Sequence, residues 1–202
     1  MQDTPGKTLT FWFDPASSYS YLSAMRIQDL AAAAGVQVYW RAFLLGPIFR
    51  QQGWENSPFN QQPAKLAYMW RDLERTCAAR GLAFRRPSVL PRHSVLAARV
   101  ASHYRDAPWL PEFVKAVYRA NFAEDRDIAE PAVIGECLGG VGQDPAAILA
   151  GATSAAGKAG LRAATEEAAQ LGIFGAPSFV VDGELFWGDD RLEQALGWAS
   201  GP

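Results

Sequence analysis

The chain has 202 residues, with 19 Lys and Arg against 21 Asp and Glu, a formal net charge of −2 and a pI near 5.7. Apolar residues make up 49% and charged residues 20%, which predicts a packed core and argues against disorder. The charge balance gives no long-range attraction for nucleic acid or anionic lipid, no run approaches the ~20 apolar residues of a membrane span, and Leu9–Phe13 is too short for a signal peptide, so a soluble cytoplasmic protein is expected.

Leu9 to Phe13 is an apolar, aromatic run ended by Asp14-Pro15, which predicts a buried strand stopped by a breaker. A serine-rich turn, Ala16-Ser17-Ser18, leads into a helix predicted over about Tyr19 to Ala34, with Gly35 as its C′ residue. Val36, Val38, Trp40 and Ala42 then alternate with polar or amphipathic residues, as a strand does. Strand–helix–strand predicts two parallel strands joined right-handedly. Gly46 to Gln62 reads as a long connection. Helices are predicted at Pro63–Arg80, Ser94–Tyr104, Pro111–Phe122, Pro131–Leu138, Pro145–Ala150 and about Gly160–Leu171. Ser178–Val181 and Glu184–Trp187 flank Asp182-Gly183, a strong two-residue hairpin signal, and a last helix runs from about Asp189 to Ala199.

The two cysteines, Cys77 and Cys137, are far apart and fall on helical apolar stripes, so they read as buried small hydrophobes. The two histidines, His93 and His103, have no neighbouring ligands in sequence, and no metal site is expected.

Three places carry candidate chemistry. In an α/β sheet, ligands gather beyond the carboxyl ends of the strands. Ser17 lies there, ahead of the first helix, where it can cap the helix or donate to an anion such as a thiolate, with Ser18 and Ser20 as competitors. Phe174-Gly175-Ala176-Pro177 stands directly before a strand. Trp187-Gly188-Asp189-Asp190-Arg191 precedes the last helix and offers one aspartate as a cap and another for a ligand ammonium.

The βαβ start, helical middle and ββα end together outline a thioredoxin-like α/β fold carrying a large all-helical insertion. The expected parts are 1–45 with 160–202 as the thioredoxin-like domain and 46–159 as the insertion.

Six segments, in order along the chain, resemble one family. They are Phe11-Trp12-Phe13-Asp14-Pro15-Ala16-Ser17-Ser18-Tyr19-Ser20-Tyr21-Leu22, Phe43-Leu44-Leu45-Gly46, the run from Lys65 to Arg75, Asp127-Ile128-Ala129-Glu130-Pro131, Phe174-Gly175-Ala176-Pro177, and Trp187-Gly188-Asp189-Asp190-Arg191-Leu192. The chain resembles 2-hydroxychromene-2-carboxylate isomerases and kappa-class glutathione transferases, a branch of the DsbA-like thioredoxin superfamily. The resemblance implies a glutathione-dependent isomerase, with a kappa-class-like transferase or a non-catalytic thioredoxin-like peptide-binding module as alternatives. It further implies glutathione as cofactor, a small aromatic-derived substrate, a homodimer and a role in aromatic-compound catabolism. In the implied isomerisation, a thiolate adds to an unsaturated pyruvate, the former double bond rotates, and elimination returns the thiol.

Carried over by position, the family's serine falls on Ser17, the backbone contact on Ala176 beside a cis Pro177, and the γ-glutamyl contacts on Asp189, Asp190 and Arg191. The family's lysine falls on Lys65, and its loop asparagine has Asn56 as nearest match, at a different spacing. Two departures stand out: Ser18 replaces the usual proline, and Asp189 stands where many members carry Asn or Ser. A disulfide oxidoreductase of this fold needs a cysteine at the helix start, and none occurs between Met1 and Arg75.

Overall fold

The computed structural model describes residues 7–54 and 58–201. Four strands form one mixed sheet in the order β2-β1-β3-β4, with β1 at Thr8–Phe13, β2 at Gln37–Ala42, β3 at Ser178–Val181 and β4 at Glu184–Trp187. β1 pairs parallel with β2 (Phe11 opposite Trp40) and antiparallel with β3 (Phe11 opposite Phe179). The helices are α1 (Ser18–Ala24), α2 (Ile27–Ala34), α3 (Leu45–Gln51), α4 (Pro58–Gln61), α5 (Pro63–Ala79), α6 (Val95–His103), α7 (Leu110–Phe122), α8 (Pro131–Gly140), α9 (Pro145–Thr153), α10 (Ala155–Gln170) and α11 (Leu192–Ser200). A 3₁₀ turn, Asp189–Arg191, precedes α11. This is the expected thioredoxin-like architecture, with the helices from α3 to α9 inserted between its two β parts.

The four strands lie where the apolar patterning put them, within one residue at each end. Asp182 and Gly183 both have positive φ, 50° and 85°, the backbone a type I′ hairpin turn demands. The predicted single first helix is two. It breaks at Met25-Arg26, and Arg26 adopts a non-helical φ of −130° at the start of α2. The predicted connection after Gly46 contains a further helix, α3, built around Ile48, which is 3% exposed. The helix predicted over about Gly160–Leu171 starts earlier, at Ala155, because the Ser154 hydroxyl caps it by accepting from the Gly157 amide at 3.1 Å. The predicted boundary between 159 and 160 therefore falls inside α10.

One face of the sheet (Leu9, Phe11, Phe13, Trp40, Phe179) joins a buried cluster that also holds Leu73, Tyr118, Phe122 and Leu196. The thioredoxin-like segments and the inserted helices thus share one core. The other face carries a smaller cluster of Trp12, Phe43, Ile48, Ala168 and Ile173.

Phe11 sits at the centre of the larger cluster, with ring centroids 5.2 Å from Phe13, 5.5 Å from Phe179 and 5.0 Å from Trp40. Truncation there leaves a cavity walled by rigid aromatics. Phe11→Ala should lower unfolding stability by about 3–5 kcal/mol, read as a reduced urea midpoint at unchanged slope.

Candidate functional site

β1 ends in a tight turn tied down by Asp14. The Asp14 carbonyl accepts from the Ser17 amide at 2.8 Å and from the Tyr118 hydroxyl at 2.9 Å. Its carboxylate accepts from the Ala16 amide at 2.9 Å, the Ser94 hydroxyl at 2.7 Å and the Leu45 amide at 2.9 Å. Burial pushes this carboxyl's pKa above 3.8, against the opposing pull of those three donors. The group expected only as a strand breaker therefore connects the Ser17 turn to the starts of α3 and α6.

Of the three neighbouring serines, only Ser17 is half-exposed. Its oxygen accepts from the Ser20 amide at 3.3 Å as N-cap of α1, and its hydroxyl donates to the Ala176 carbonyl at 2.9 Å. Ser18 is buried and donates to the Met69 sulfur at 3.5 Å, and Ser20 is fully buried. The segment before β3 thus meets the turn after β1 at one hydrogen bond, and the Ala176-Pro177 bond is cis. Gly175 is required here by close approach, since a Cβ would run into the Trp187 indole. Trp187 in turn lies against Phe174, with ring centroids 4.9 Å apart, and both remain exposed.

Helix α5 lines a second side. Met69 packs under Ser18, and Lys65, exposed, lies one turn earlier on the same face. The half-buried Tyr19 donates to the Asp72 carboxylate at 3.0 Å, and burial together with that neighbour pushes its phenol pKa up. Ser23, one turn after Tyr19 on α1, donates to Asp189, which puts the 3₁₀ turn on the same side of α1.

The two aspartates of that turn differ. Asp190 is solvent-facing, 3.2 Å from the exposed Arg191. Asp189 is 7% exposed, and its carboxylate is already engaged by Arg26 at 3.2 Å, Arg80 at 2.8 Å and the Ser23 hydroxyl at 2.9 Å. Arg26 also donates to the Asp189 carbonyl at 2.6 Å and pairs with Glu193. Asp189, expected as a ligand contact, has its carboxylate engaged in holding the turn to the α1–α2 break and to the end of α5. The expected Asn56 lies outside the described residues.

Ser17 thus meets Ala176 directly, and the 3₁₀ turn that carries Asp190 and Arg191 and the helix that carries Lys65 both pack against α1, while Asp14, Arg26 and Arg80 were not anticipated as its supports. A buried Asp after a strand and an Arg at a helix break carry that signal only when their partners are known. Two hollows lie elsewhere. One of about 540 Å³ is lined by Trp109, Arg119 and Cys137, and one of about 350 Å³ by Thr10, Tyr39 and Arg41. Cys77 and Cys137 are buried, and burial pushes both thiols up to about 11, so neither is a ready nucleophile. Among the described residues no cluster of three His, Cys, Asp or Glu could hold a metal, and no helix is long and apolar enough to cross a membrane.

A mixed four-stranded sheet with inserted helices, and a turn after β1 facing a cis-proline segment, define the thioredoxin-like class with a DsbA-type insertion. The chain belongs to the DSBA-like thioredoxin domain family, whose profile matches residues 8–197, in the branch that holds 2-hydroxychromene-2-carboxylate isomerases and kappa-class glutathione transferases. It is 30% identical to a 2-hydroxychromene-2-carboxylate isomerase of Sphingobium xenophagum, over 93% of this chain and 95% of that protein. It is 27% identical to glutathione S-transferase kappa 2 of Caenorhabditis elegans, over 97% and 93%. A solved structure of a 2-hydroxychromene-2-carboxylate isomerase shares the fold, with a TM-score of 0.80 at 24% identity, over 93% of this chain and 91% of that one.

Two measurements separate the roles of the aspartates and their partners. Asp189→Ala removes the carboxylate that Arg80 pairs with and one of the partners of Arg26, and should cost about 1–3 kcal/mol of stability, whereas the exposed Asp190→Ala should cost under about 0.5 kcal/mol. Equal losses in thermal melts would contradict the difference in engagement. Glu193 is held below its ordinary 4.5 by the hydrogen bond from Arg26. A depressed folded-state pKa stabilises above the unfolded value and loses its effect as pH falls through the folded pKa. Glu193→Gln should therefore lower the melting temperature slightly at neutral pH, and the gap should close in acid.

Proposed function

We propose that the chain is a glutathione-dependent isomerase of the 2-hydroxychromene-2-carboxylate isomerase type, with Ser17 as the donor to the glutathione sulfur. One observation carries this reading: Ser17 is the half-exposed serine of its turn, and its hydroxyl lies within hydrogen-bond distance of the Ala176 carbonyl. An extended cysteinyl peptide laid beside Ala176 would bring its sulfur to that hydroxyl. The donor set fits the rest of glutathione. Asp190 and Arg191 present opposite charges side by side, matching the ammonium and carboxylate of a γ-glutamyl group. Lys65 suits the other carboxylate.

Glutathione, when bound, supplies a thiolate that can add to an unsaturated substrate and later leave it. The protein's part is to hold that sulfur as its anion. α1 has seven residues, so its end contributes little field, and the burden falls on the Ser17 hydroxyl. A hydrogen bond to a charged group contributes about 1.5–3 kcal/mol, which at about 1.36 kcal/mol per unit lowers a thiol pKa by roughly one to two units. From an ordinary value near ~8.5, that brings the sulfur to about neutrality. The exposed Phe174, Trp187 and Tyr68 border the same region and suit an aromatic substrate.

The kinship with a kappa-class transferase favours a second reading, in which the adduct is the product; Ser17 has the same task in both. A small aromatic-derived substrate, a homodimer and a cytoplasmic setting belong to the proposal through that kinship. Mixing the protein with glutathione and a hydroxybenzylidenepyruvate, followed by absorbance, should show isomerisation, with an accumulating adduct pointing to transfer. Glutathione bound to the native protein should titrate about one to two units below its titration on Ser17→Ala, seen in thiolate ultraviolet absorbance. An unchanged pKa with full activity in the variant would remove Ser17 from the chemistry.

A further inference from the structure

The Ser17 hydroxyl has one proton, and that proton is taken. A carbonyl can only accept, so the 2.9 Å contact with Ala176 fixes the hydroxyl as donor. One lone pair of the same oxygen accepts from the Ser20 amide at 3.3 Å. Ala176 lies two residues before Ser178, the first β3 residue paired to β1, and its half-buried carbonyl takes its hydrogen bond from the Ser17 side chain. The proton that a thiolate needs and the carbonyl that a peptide needs are thus joined to each other.

We infer that the site is self-closed, and that it opens for a thiol carried beside an amide N–H, the arrangement of an acylated cysteinyl residue. This rests on the reading of Ser17 as the donor to the sulfur. The ligand's amide takes over the Ala176 carbonyl, and the released Ser17 proton turns to the sulfur. The Ser17 oxygen stays where Ser20 holds it, and the proton swings about the Cβ–Oγ bond, so no backbone movement is needed. In a cysteinyl residue only the α and β carbons separate the N–H from the sulfur. That spacing matches two protein atoms 2.9 Å apart. A thiol with no amide gains a hydrogen bond at sulfur but leaves the carbonyl bare. The exchange then yields little, because a stripped carbonyl loses what the sulfur gains. Selection for peptide thiols over simple thiols follows from one proton with two claimants.

The test uses S-methylglutathione, which keeps the amide but has no thiolate to reward Ser17, a thioether being a weak acceptor. The Ser17 hydroxyl then acts only as a competitor for Ala176. Isothermal titration of the native protein, Ser17→Ala and Ser17→Gly should show both variants binding S-methylglutathione roughly two- to tenfold more tightly than the native protein. Glycine is a tolerated N-cap, and circular dichroism checks that α1 persists in each variant. Equal or weaker binding by the variants overturns the exchange, as does absence of binding to all three proteins. The donor reading is judged separately, by the pKa of bound glutathione. A tightened thioether with an unshifted thiol would keep Ser17 as a gate and dismiss it as a donor.

Discussion

The buried carboxyl of Asp14 is the constraint on which the architecture of the site depends. It ends the central strand, turns the chain so that Ser17 faces Ala176, and fastens the starts of α3 and α6 by direct hydrogen bonds. A carboxylate without partners in this position would be costly, since desolvation of a charge is the largest opposing effect in a protein interior. Here both oxygens and the carbonyl are satisfied by five donors from four places in the chain. Such a group specifies geometry more than it adds stability, because few other arrangements of these segments would satisfy it.

The far side of α1 is organised by the opposite logic. Asp189 draws in Arg26 and Arg80, so the 3₁₀ turn is held by charge where the β1 turn is held by neutral donors. The arrangement frees Asp190 and Arg191, one residue further on, to face solvent as an unburied pair. It also explains why a shortened first helix is tolerated: the break at Met25-Arg26 is where the guanidinium leaves α1 to reach the turn. Ordinary helix propensity gives no reason for that break, and a tertiary ion pair does.

Much of the fold was legible because it rests on local patterns. Alternation, the Asp182-Gly183 turn and the Pro-started helices need only near neighbours to be recognised. The helix α3 was missed because its Gly, Pro and Gln content reads as a loop, and burial of Ile48 against Trp12 and Phe43 overrides propensity. At the site, the resemblance marked Ser17 and Ala176, which the fold brings together. It also marked Asp189, but not the charged neighbours that engage it, Arg26, 163 residues away, and Arg80 at the end of α5. Pairings over such distances leave no periodic trace in a single sequence.

The Ser17–Ala176 hydrogen bond spans 159 residues. Its two halves are made far apart in time, since β1 and β2 precede every inserted helix and β3 follows them all. Non-local pairing of this kind slows folding, and a growing chain must keep the apolar face of β1 covered meanwhile. The inserted helices can provide that cover, as Tyr118 and Phe122 pack in the same cluster as Phe11 and Phe13. The helical block thus packs on a strand whose second neighbour follows it in the chain. A chain cut short before β3 would carry Ser17 and no site.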